Sequence, residues 1–264
     1  MNKGRMLAGV DAGHIHTKAV IMRGEEILGY CTVPTGFDVV AAAQSALNDA
    51  SDHAGIPRGE LGGIAATGIF RDMIKVPAMN VTGTVPDYVA DAKGALFLNK
   101  DSRTVIDIGG NIHKAIRYDQ NGDLLDAIQN DKCADGLGIF YTSIAKAMGL
   151  SEQEMSELAL ESTGNLSIAI QCYLSAESDA IDLICQGRDI AEVADAILRF
   201  IVERVADMCT TMNLSKEIVV VGGLAKSQAL IKHLANLLKQ DLSALNLPEY
   251  VGAIGAAISD GGGI

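Results

Sequence analysis

Two segments of the chain repeat one short pattern, in which an apolar run ends in Asp-x-Gly and a lysine follows seven positions after the aspartate. A glycine at the carboxyl end of a strand lets backbone N–H groups converge on a phosphate. A carboxylate at the same place can hold a hydrated Mg²⁺ that bridges the phosphates of ATP. A single Asp-x-Gly turn is more often structural, but two turns in register favour a nucleotide site. The repeated residues are Asp11, Gly13 and Lys18 in the first segment and Asp107, Gly109 and Lys114 in the second.

The residues of these two turns are the candidate nucleotide-binding residues, and we expect Asp11 and Asp107 to act on the metal together. A later glycine pair, Gly222-Gly223, follows the apolar run "IVVV" and would let the backbone approach a ribose or a flat ring closely. The remaining candidates are Gly13, His14, Ile15, His16, Thr17 and Lys18 in the first turn and Gly109, Gly110 and Asn111 in the second.

The elements around these turns follow the same repeat. Each Asp-x-Gly pattern opens a segment typical of a three-strand β-meander, with the polar turns "RGEE" and "DQNGD" before the third strands. Apolar residues at helical spacing follow each meander, and "EIVVVGG" predicts a late buried strand. The sequence therefore predicts two related α/β halves. The predicted helices cover residues 37–54, 138–150, 190–212 and 227–241, and the predicted late strand covers 217–223.

The composition limits the classes of partner. A chain of 264 residues can form one large or two small domains, at roughly 150 residues per domain. The formal net charge of −12 argues against a nucleic-acid partner, because nucleic-acid binders carry clustered Lys and Arg. The start of the chain does not resemble a secretory leader, and no apolar run approaches the ~18 residues of a membrane span. We expect a cytoplasmic protein without a membrane partner.

The five cysteines form neither a C-x-x-C pair nor an even disulfide framework, which disfavours a local zinc site and a secreted disulfide scaffold. A cysteine of this kind is usually a buried, reduced, small apolar residue. We keep that interpretation for Cys31, Cys185 and Cys209. Cys133 stands before a glycine-rich turn in "NDKCADGLGIF", and Cys172 lies in "IAIQCYLSAESD".

The two Asp-Gly turns and the late Gly-Gly turn together resemble the actin-like ATPase superfamily, which includes sugar kinases, acetate kinase and chaperone ATPases. The resemblance covers essentially the whole chain. It implies an α/β fold with two ribonuclease H-like halves around a nucleotide cleft, with the Asp-Gly turns on the phosphates and Gly222-Gly223 on the adenosine. The expected halves are residues 1–96, joined by a C-terminal helix at 250–264, and residues 97–249, which carry Cys133 and Cys172.

The sequences around Cys133 and Cys172 resemble those of the activators of 2-hydroxyacyl-CoA dehydratases and the ATP-binding subunits of benzoyl-CoA reductase. In those proteins two subunits each give two thiolates to one shared [4Fe–4S] cluster, which needs four cysteine ligands. The resemblance thus implies that Cys133 and Cys172 ligate a cluster shared with a second identical or related ATPase chain. It also implies a helix after Cys133 whose N-terminus points at the cluster.

The phosphate turns depart from the pattern of these families. His14-Ile15-His16 stands where Gly-Ser-Thr is usual, and Asn111-Ile112-His113 stands where the activators usually have Gln-Asp. The second change removes a carboxylate that could orient the attacking water, which affects hydrolysis more than nucleotide binding. His14, His16 and His113 could donate to phosphate oxygens instead. The segment "ADAKGALFLNKDSRTVIDIGG" resembles the smaller ATP-binding subunit of benzoyl-CoA reductase more than the activators.

The predicted function is ATP-dependent, low-potential electron transfer through a subunit-bridging [4Fe–4S] cluster, as an ATP-hydrolysing subunit of a benzoyl-CoA reductase-type enzyme. The implied cofactors are the cluster, ATP or ADP, and Mg²⁺. The implied partners are an acyl-CoA reductase or dehydratase component as electron acceptor and a ferredoxin- or flavodoxin-like donor. The alternative is a homodimeric activator of a 2-hydroxyacyl-CoA dehydratase. More distant alternatives are a small-molecule kinase of the same fold and a catalytically silent cluster scaffold.

Overall fold

The structure is a computed structural model that describes residues 4–164, 166–168 and 173–259. Its described residues pack as two compact units. The first unit takes in residues 4–102, 118–125 and 249–259, and the second takes in residues 103–117 and the described residues between 126 and 248. Within the described ranges, no helix is long and apolar enough to cross a membrane.

The first sheet has five strands in the order β3-β2-β1-β4-β5. Its strand β1 pairs antiparallel with β2 and parallel with β4. The sheet is therefore a three-strand antiparallel meander that two further strands, parallel to β1, extend on the side of β1. The strands are β1 (Met6–Ala12), β2 (His16–Arg23), β3 (Glu26–Pro34), β4 (Gly63–Thr67) and β5 (Gly83–Thr84), and the helices of this unit are α1 (Val39–Ala54), α2 (Asp87–Leu98) and α8 (Val251–Ile258).

The second sheet repeats this topology, in the order β8-β7-β6-β9-β10. Its first strand β6 pairs antiparallel with β7 and parallel with β9. The repeated order confirms the predicted pair of related α/β halves. The strands are β6 (Thr104–Ile108), β7 (His113–Tyr118), β8 (Leu124–Gln129), β9 (Ile218–Val221) and β10 (Leu242–Ala244), and the helices are α3 (Leu137–Ala147), α4 (Glu152–Glu161), α5 (Tyr173–Cys185), α6 (Ile190–Thr210) and α7 (Gln228–Leu238).

Capping residues set the ends of the helices. The side chain of Asp38 accepts a hydrogen bond from the backbone N–H of Ala41 at 2.9 Å, so α1 begins at Val39 and not at the predicted residue 37. At its other end, Gly55 adopts φ 66° and ends the helix. Helix α4 was not predicted, although Ser151 and Glu154 form a capping box that marks its start in the sequence.

Helix α8 packs against its neighbours through glycines rather than side chains. A methyl group added to Gly9 of β1 would overlap the carbonyl oxygen of Ala253 in α8. A methyl group on Gly255 of α8 would overlap the carbonyl oxygen of Ala90 in α2, and one on Gly94 would overlap that of Val251. The backbones of β1, α2 and α8 therefore touch, which fixes α2 relative to the carboxyl end of β1.

These contacts predict the cost of one added methyl group. Gly255→Ala should lower the free energy of unfolding by about 1–3 kcal/mol, the usual penalty for overpacking a filled core. Gly59→Ala is the matched control, because a methyl group at Gly59 meets no atom within 4 Å. Urea denaturation of both variants measures the difference, and equal stabilities would contradict the backbone contact between α2 and α8.

Candidate nucleotide-binding turns

The first Asp-x-Gly turn holds its aspartate in an ion pair. Asp11 lies directly opposite Lys18 in the antiparallel pairing of β1 and β2, so their side chains project from the same face of the sheet. The Nζ of Lys18 lies 3.1 Å from Oδ2 of Asp11, and each side chain is 18% exposed. The lysine thus neutralises a carboxylate that remains open to a ligand.

The second turn repeats this pair in the second unit. Asp107 lies opposite Lys114 in the pairing of β6 and β7. The Nζ of Lys114 lies 3.2 Å from Oδ2 of Asp107, and the lysine side chain is only 7% exposed. The seven-residue spacing in the sequence is therefore the spacing of direct neighbours across a β-hairpin.

A glycine from the neighbouring parallel strand closes the other side of each aspartate. Gly68 follows β4 with φ 87°, and Gly222 follows β9 with φ 89°. A methyl group on Gly222 would lie 2.5 Å from Oδ1 of Asp107, and one on Gly68 would overlap Oδ1 of Asp11. Sequence reasoning found Gly222 but missed Gly68. The signal was present, since "IAATG" ends a buried strand as "IVVVG" does.

The first turn is braced by two buried threonines. The hydroxyl of Thr35 donates to the carbonyl oxygen of Gly13 at 2.8 Å. The hydroxyl of Thr17 is fully buried and lies 2.9 Å from that of Thr35. Since the single proton of Thr35 is directed at Gly13, Thr17 donates to Thr35. The hydroxyl predicted to face a nucleotide thus holds the shape of the turn.

The other predicted residues of the first turn lie at its surface. His14 contacts the ring of Phe70 edge-on, with ring centroids 5.3 Å apart. Ile15 is 36% exposed, and His16 begins β2 with an exposed side chain. The two imidazoles therefore lie where an incoming phosphate could reach the turn, and their role as donors stays a prediction.

The second turn contacts the start of helix α3 directly. The backbone N–H of Ile139 donates to the carbonyl oxygen of Gly110 at 3.0 Å, and that of Gly136 donates to Asn111 at 2.9 Å. A methyl group on Gly138 would lie 2.5 Å from the carbonyl oxygen of Gly109. Glycine at position 138 is therefore required for the turn and the helix to touch.

The segment that carries Cys133 is held by Asn130. The Oδ1 of Asn130 accepts from the backbone N–H of His113 at 2.6 Å, and its Nδ2 donates to Oδ1 of Asp135 at 2.8 Å. Cys133 itself lies in a 3₁₀ turn over Lys132–Ala134.

The side chain of Cys133 and the whole of Cys172 lie outside the described residues. In the part of the chain that is described, no three His, Cys, Asp or Glu side chains converge as metal ligands.

The ring of His113 is buried in the core. Strand side chains alternate, so His113 lies on the opposite face from Lys114, the face of Ala115 and the large apolar cluster. It is 1% exposed, and neither ring nitrogen has a hydrogen-bond partner among the described residues. Desolvation by this burial lowers the pKa of His113 to about 4. His113 is therefore neither a donor to a phosphate, which the sequence left possible, nor a solvated loop histidine, which is the commoner case.

An open groove of about 690 Å³ lies beside the late glycine turn. Lys226, Gln228, Lys232 and Pro248 are among the residues that line it. The backbone N–H of Gly222 donates to the carbonyl oxygen of Pro248 at 2.9 Å, so the glycine turn is hydrogen-bonded to a residue that lines the groove. The groove has the size and polarity of a site for a small organic ligand.

The three remaining cysteines differ from one another. Cys209 is buried, and desolvation raises its pKa to about 12, as expected of an inert core thiol. Cys185 is exposed, so the core interpretation is wrong for this residue. Cys31 is half-buried, and its pKa is raised by desolvation and by the nearby Asp49.

The buried imidazole predicts a pH dependence of stability. His113 has a pKa of about 4 in the folded chain and about 6.5 when unfolded, so the unfolded chain binds the proton first as the pH falls. The folded state should lose up to about 3 kcal/mol between about pH 6.5 and pH 4. His113→Leu should remove this loss. The two unfolding free energies are compared at pH 7 and pH 4, and an equal decline in both proteins would contradict the burial of an unpaired ring.

Comparison with known proteins places the chain among ATPases. The pattern of the BadF/BadG/BcrA/BcrD ATPase family matches residues 8–259. The activator of lactoyl-CoA dehydratase from Anaerotignum propionicum is 31% identical over 251 residues, which cover 95% of both chains. The solved activator of the 2-hydroxyisocaproyl-CoA dehydratase from Clostridium difficile, with bound ADPNP, has a TM-score of 0.89 at 25% identity and covers 97% of this chain and 94% of its own.

A benzoyl-CoA reductase subunit from Thauera aromatica is also similar, at 28% identity over 227 residues, but the match covers only 84% of this chain and 79% of that subunit. The preference for the smaller reductase subunit is therefore not supported, and the comparisons favour the dehydratase activators that were the alternative. They also confirm the predicted actin-like ATPase fold. Because the match runs through both repeated turns and both sheets, the chain belongs to the BadF/BadG/BcrA/BcrD ATPase family.

Proposed function

We propose that this protein is an ATP-hydrolysing activator of a 2-hydroxyacyl-CoA dehydratase, and that it uses ATP to drive a low-potential electron into the dehydratase. The observation that carries the proposal is the duplicated arrangement of an aspartate held between a lysine and a glycine. It occurs at Asp11 and again at Asp107, with ion-pair distances of 3.1 and 3.2 Å. The similarity to the ADPNP-bound activator supports nucleotide binding by these turns.

The residues present suit the phosphates of Mg-ATP. Asp11 and Asp107 offer partly exposed carboxylate oxygens, the hard ligands that Mg²⁺ prefers, directly or through its waters. Lys18 and Lys114 lie beside them and add positive charge for the phosphate oxygens. Gly68 and Gly222 leave space beside the two carboxylates that a Cβ atom would fill. We place the adenosine in the groove beside Gly222-Gly223, where Lys226 and Gln228 offer polar contacts.

The second turn provides a route from the phosphates to the cysteine segment. Gly109 and Gly110 touch the start of α3, and the preceding 3₁₀ turn carries Cys133. A phosphate that displaces this turn must therefore displace the first residues of α3 or break their hydrogen bonds. Nucleotide can affect the electron only if it binds two states of the protein differently. The contact at Gly138 provides a physical basis for that difference.

The proposed cluster ligands are Cys133 and Cys172, with two further thiolates from a second copy of the chain. The backbone around Cys133 supports this proposal. Asn130 is hydrogen-bonded both to the first residue of β7 and to Asp135, and it thereby holds the Cys133 segment at the start of α3. A [4Fe–4S] cluster bound there would supply a one-electron donor at low potential. Asn130 would keep the ligand segment in place, and the N-terminus of α3 would favour the ionised thiolate of Cys133.

The nucleotide site is tested by removing each carboxylate charge. Asp11→Asn and Asp107→Asn should each reduce by about tenfold or more the gain in ATP affinity that Mg²⁺ provides, because each loses a metal-directed charge. Asp52→Asn, at an exposed position in α1, is the control and should behave like the wild type. Calorimetry with and without Mg²⁺ measures the gain. Wild-type behaviour of both site variants would refute the proposed turns.

The cluster is tested by iron content. Anaerobically reconstituted protein should hold about four irons per pair of chains, since one cluster takes four cysteine ligands. Cys133→Ser and Cys172→Ser should each lose most of the iron. Cys185→Ser is the control, because that thiol is exposed and belongs to neither proposed ligand segment. Equal iron loss in all three variants, or a full cluster in a lone monomer, would count against a shared cluster.

A further inference from the structure

A network of buried hydroxyl groups joins three helices of the second unit beside the groove. Its members are Tyr141 in α3, Ser156 in α4 and Ser227 at the start of α7, and each of them is at most 5% exposed. None of the three belongs to the proposed phosphate turns or to the cysteine segments. A buried polar group costs free energy unless it is hydrogen-bonded, so the partners of these hydroxyls define how the helices are joined.

Tyr141 fastens α3 to the first turn of α4. Its phenol donates to the backbone carbonyl oxygen of Glu152 at 2.7 Å, and the residue is only 1% exposed. In an α-helix a carbonyl accepts from the N–H four residues later, so this carbonyl lies in the turn that leads to Ser156. The phenol of Tyr141 and the hydroxyl of Ser156 are therefore attached to one turn of α4.

Ser227 connects the same turn of α4 to α7. Its hydroxyl caps α7 by accepting from the backbone N–H of Leu230 at 3.2 Å, and it donates to the hydroxyl of Ser156 at 2.9 Å. The hydroxyl of Ser156 also accepts from the backbone N–H of Ala229 at 3.3 Å. Two hydrogen bonds thus join α4 to the start of α7.

The phenol of Tyr141 is also hydrogen-bonded to the side chain of Ser227. Burial raises the pKa of Tyr141, and the hydrogen bond from Ser227 opposes part of that rise. The phenol therefore stays neutral and keeps the proton that it donates to Glu152. Ser227 has one proton and two acceptors, the oxygens of Ser156 and Tyr141. A small displacement of Ser227 thus changes which of the two helices it holds.

Ser227 lies in the chain between two residues that line the groove. Lys226 and Gln228 both line it, whereas the side chain of Ser227 is buried and bonded to α4. A ligand in the groove that moves either neighbour must therefore move the backbone of Ser227. Because close-packed interiors transmit such displacements, the movement reaches Tyr141, which lies one turn after Gly138 in α3.

We propose that Tyr141 and Ser227 form a link through which the adenosine end of the nucleotide acts on α3, an inference that rests on the adenosine position proposed above. Tyr141 is a positioning residue, because it acts through α3, the helix that follows the 3₁₀ turn of Cys133. The phosphates act on the same helix through Gly110 and Ile139. Each end of the nucleotide can act on α3 only if it favours one of two states of the helix.

Adenosine separates the two routes, because it carries the base and the ribose and no phosphate. In the wild type, saturating adenosine should change amide hydrogen exchange over residues 137–141 by about fivefold or more, the lower end of ordinary coupling between sites. Tyr141→Phe keeps the ring and removes the hydroxyl. The change should then fall to about twofold or less, because one hydrogen bond is worth about fivefold in an equilibrium. Calorimetry should show adenosine still bound, within about tenfold of its wild-type affinity.

Tyr118→Phe is the matched control. Tyr118 is also fully buried, and its hydroxyl donates to that of Ser102 at 2.7 Å, but both residues belong to the first unit. This variant also loses one buried hydrogen bond, so a merely structural effect should appear in it as well. It should keep the wild-type response of α3 to adenosine.

Ser227→Ala breaks the link from its other end and carries the test if Tyr141→Phe does not fold. Its response to adenosine should be lost to the same degree. A wild-type response in the folded variants, an equal loss in Tyr118→Phe, or a wild type whose α3 does not respond to adenosine although ATP binds would overturn the link. A wild-type protein that does not bind ATP would instead refute the proposed function itself.

Discussion

The arrangement of both candidate turns depends on one steric constraint: an aspartate carboxylate at the end of a strand fits only because the neighbouring parallel strand ends in a glycine. At Gly68 and Gly222 the backbone adopts φ 87° and 89°, and a side chain there would strike the carboxylate. The lysine on the antiparallel side then determines which way the carboxylate points. Strand pairing on one side and a missing side chain on the other thus present each aspartate to a ligand.

This constraint explains why the sequence reveals the paired turns more clearly than the rest of the site. A seven-residue step from Asp11 to Lys18 across a tight turn can place them opposite each other only in a hairpin, and the same holds for Asp107 and Lys114. Local spacing was therefore enough to predict that each aspartate is paired with its lysine. The helices with regular apolar spacing were also predictable, whereas their ends depended on caps such as Asp38.

The residues that sequence reasoning missed depend on contacts between distant parts of the chain. Tyr141 and Ser227 are far apart in the sequence, and they meet because α4 packs against both α3 and α7. No local pattern encodes that packing. Gly68 is a different case, because its signal was present in the sequence: "IAATG" ends an apolar strand as "IVVVG" does, although it lacks the "VVV" run that made Gly222 conspicuous.

The two turns differ in what holds them in place. In the first turn, the carbonyl oxygen of Gly13 accepts a hydrogen bond from the hydroxyl of Thr35, which in turn accepts one from Thr17. In the second turn, the carbonyl oxygens of Gly110 and Asn111 accept hydrogen bonds from backbone N–H groups at the start of α3. The first turn is therefore held by side chains, whereas a shift of the second turn has to move the start of α3 or break these hydrogen bonds. Gly138 keeps this coupling direct, because a side chain at that position would separate the turn from the helix.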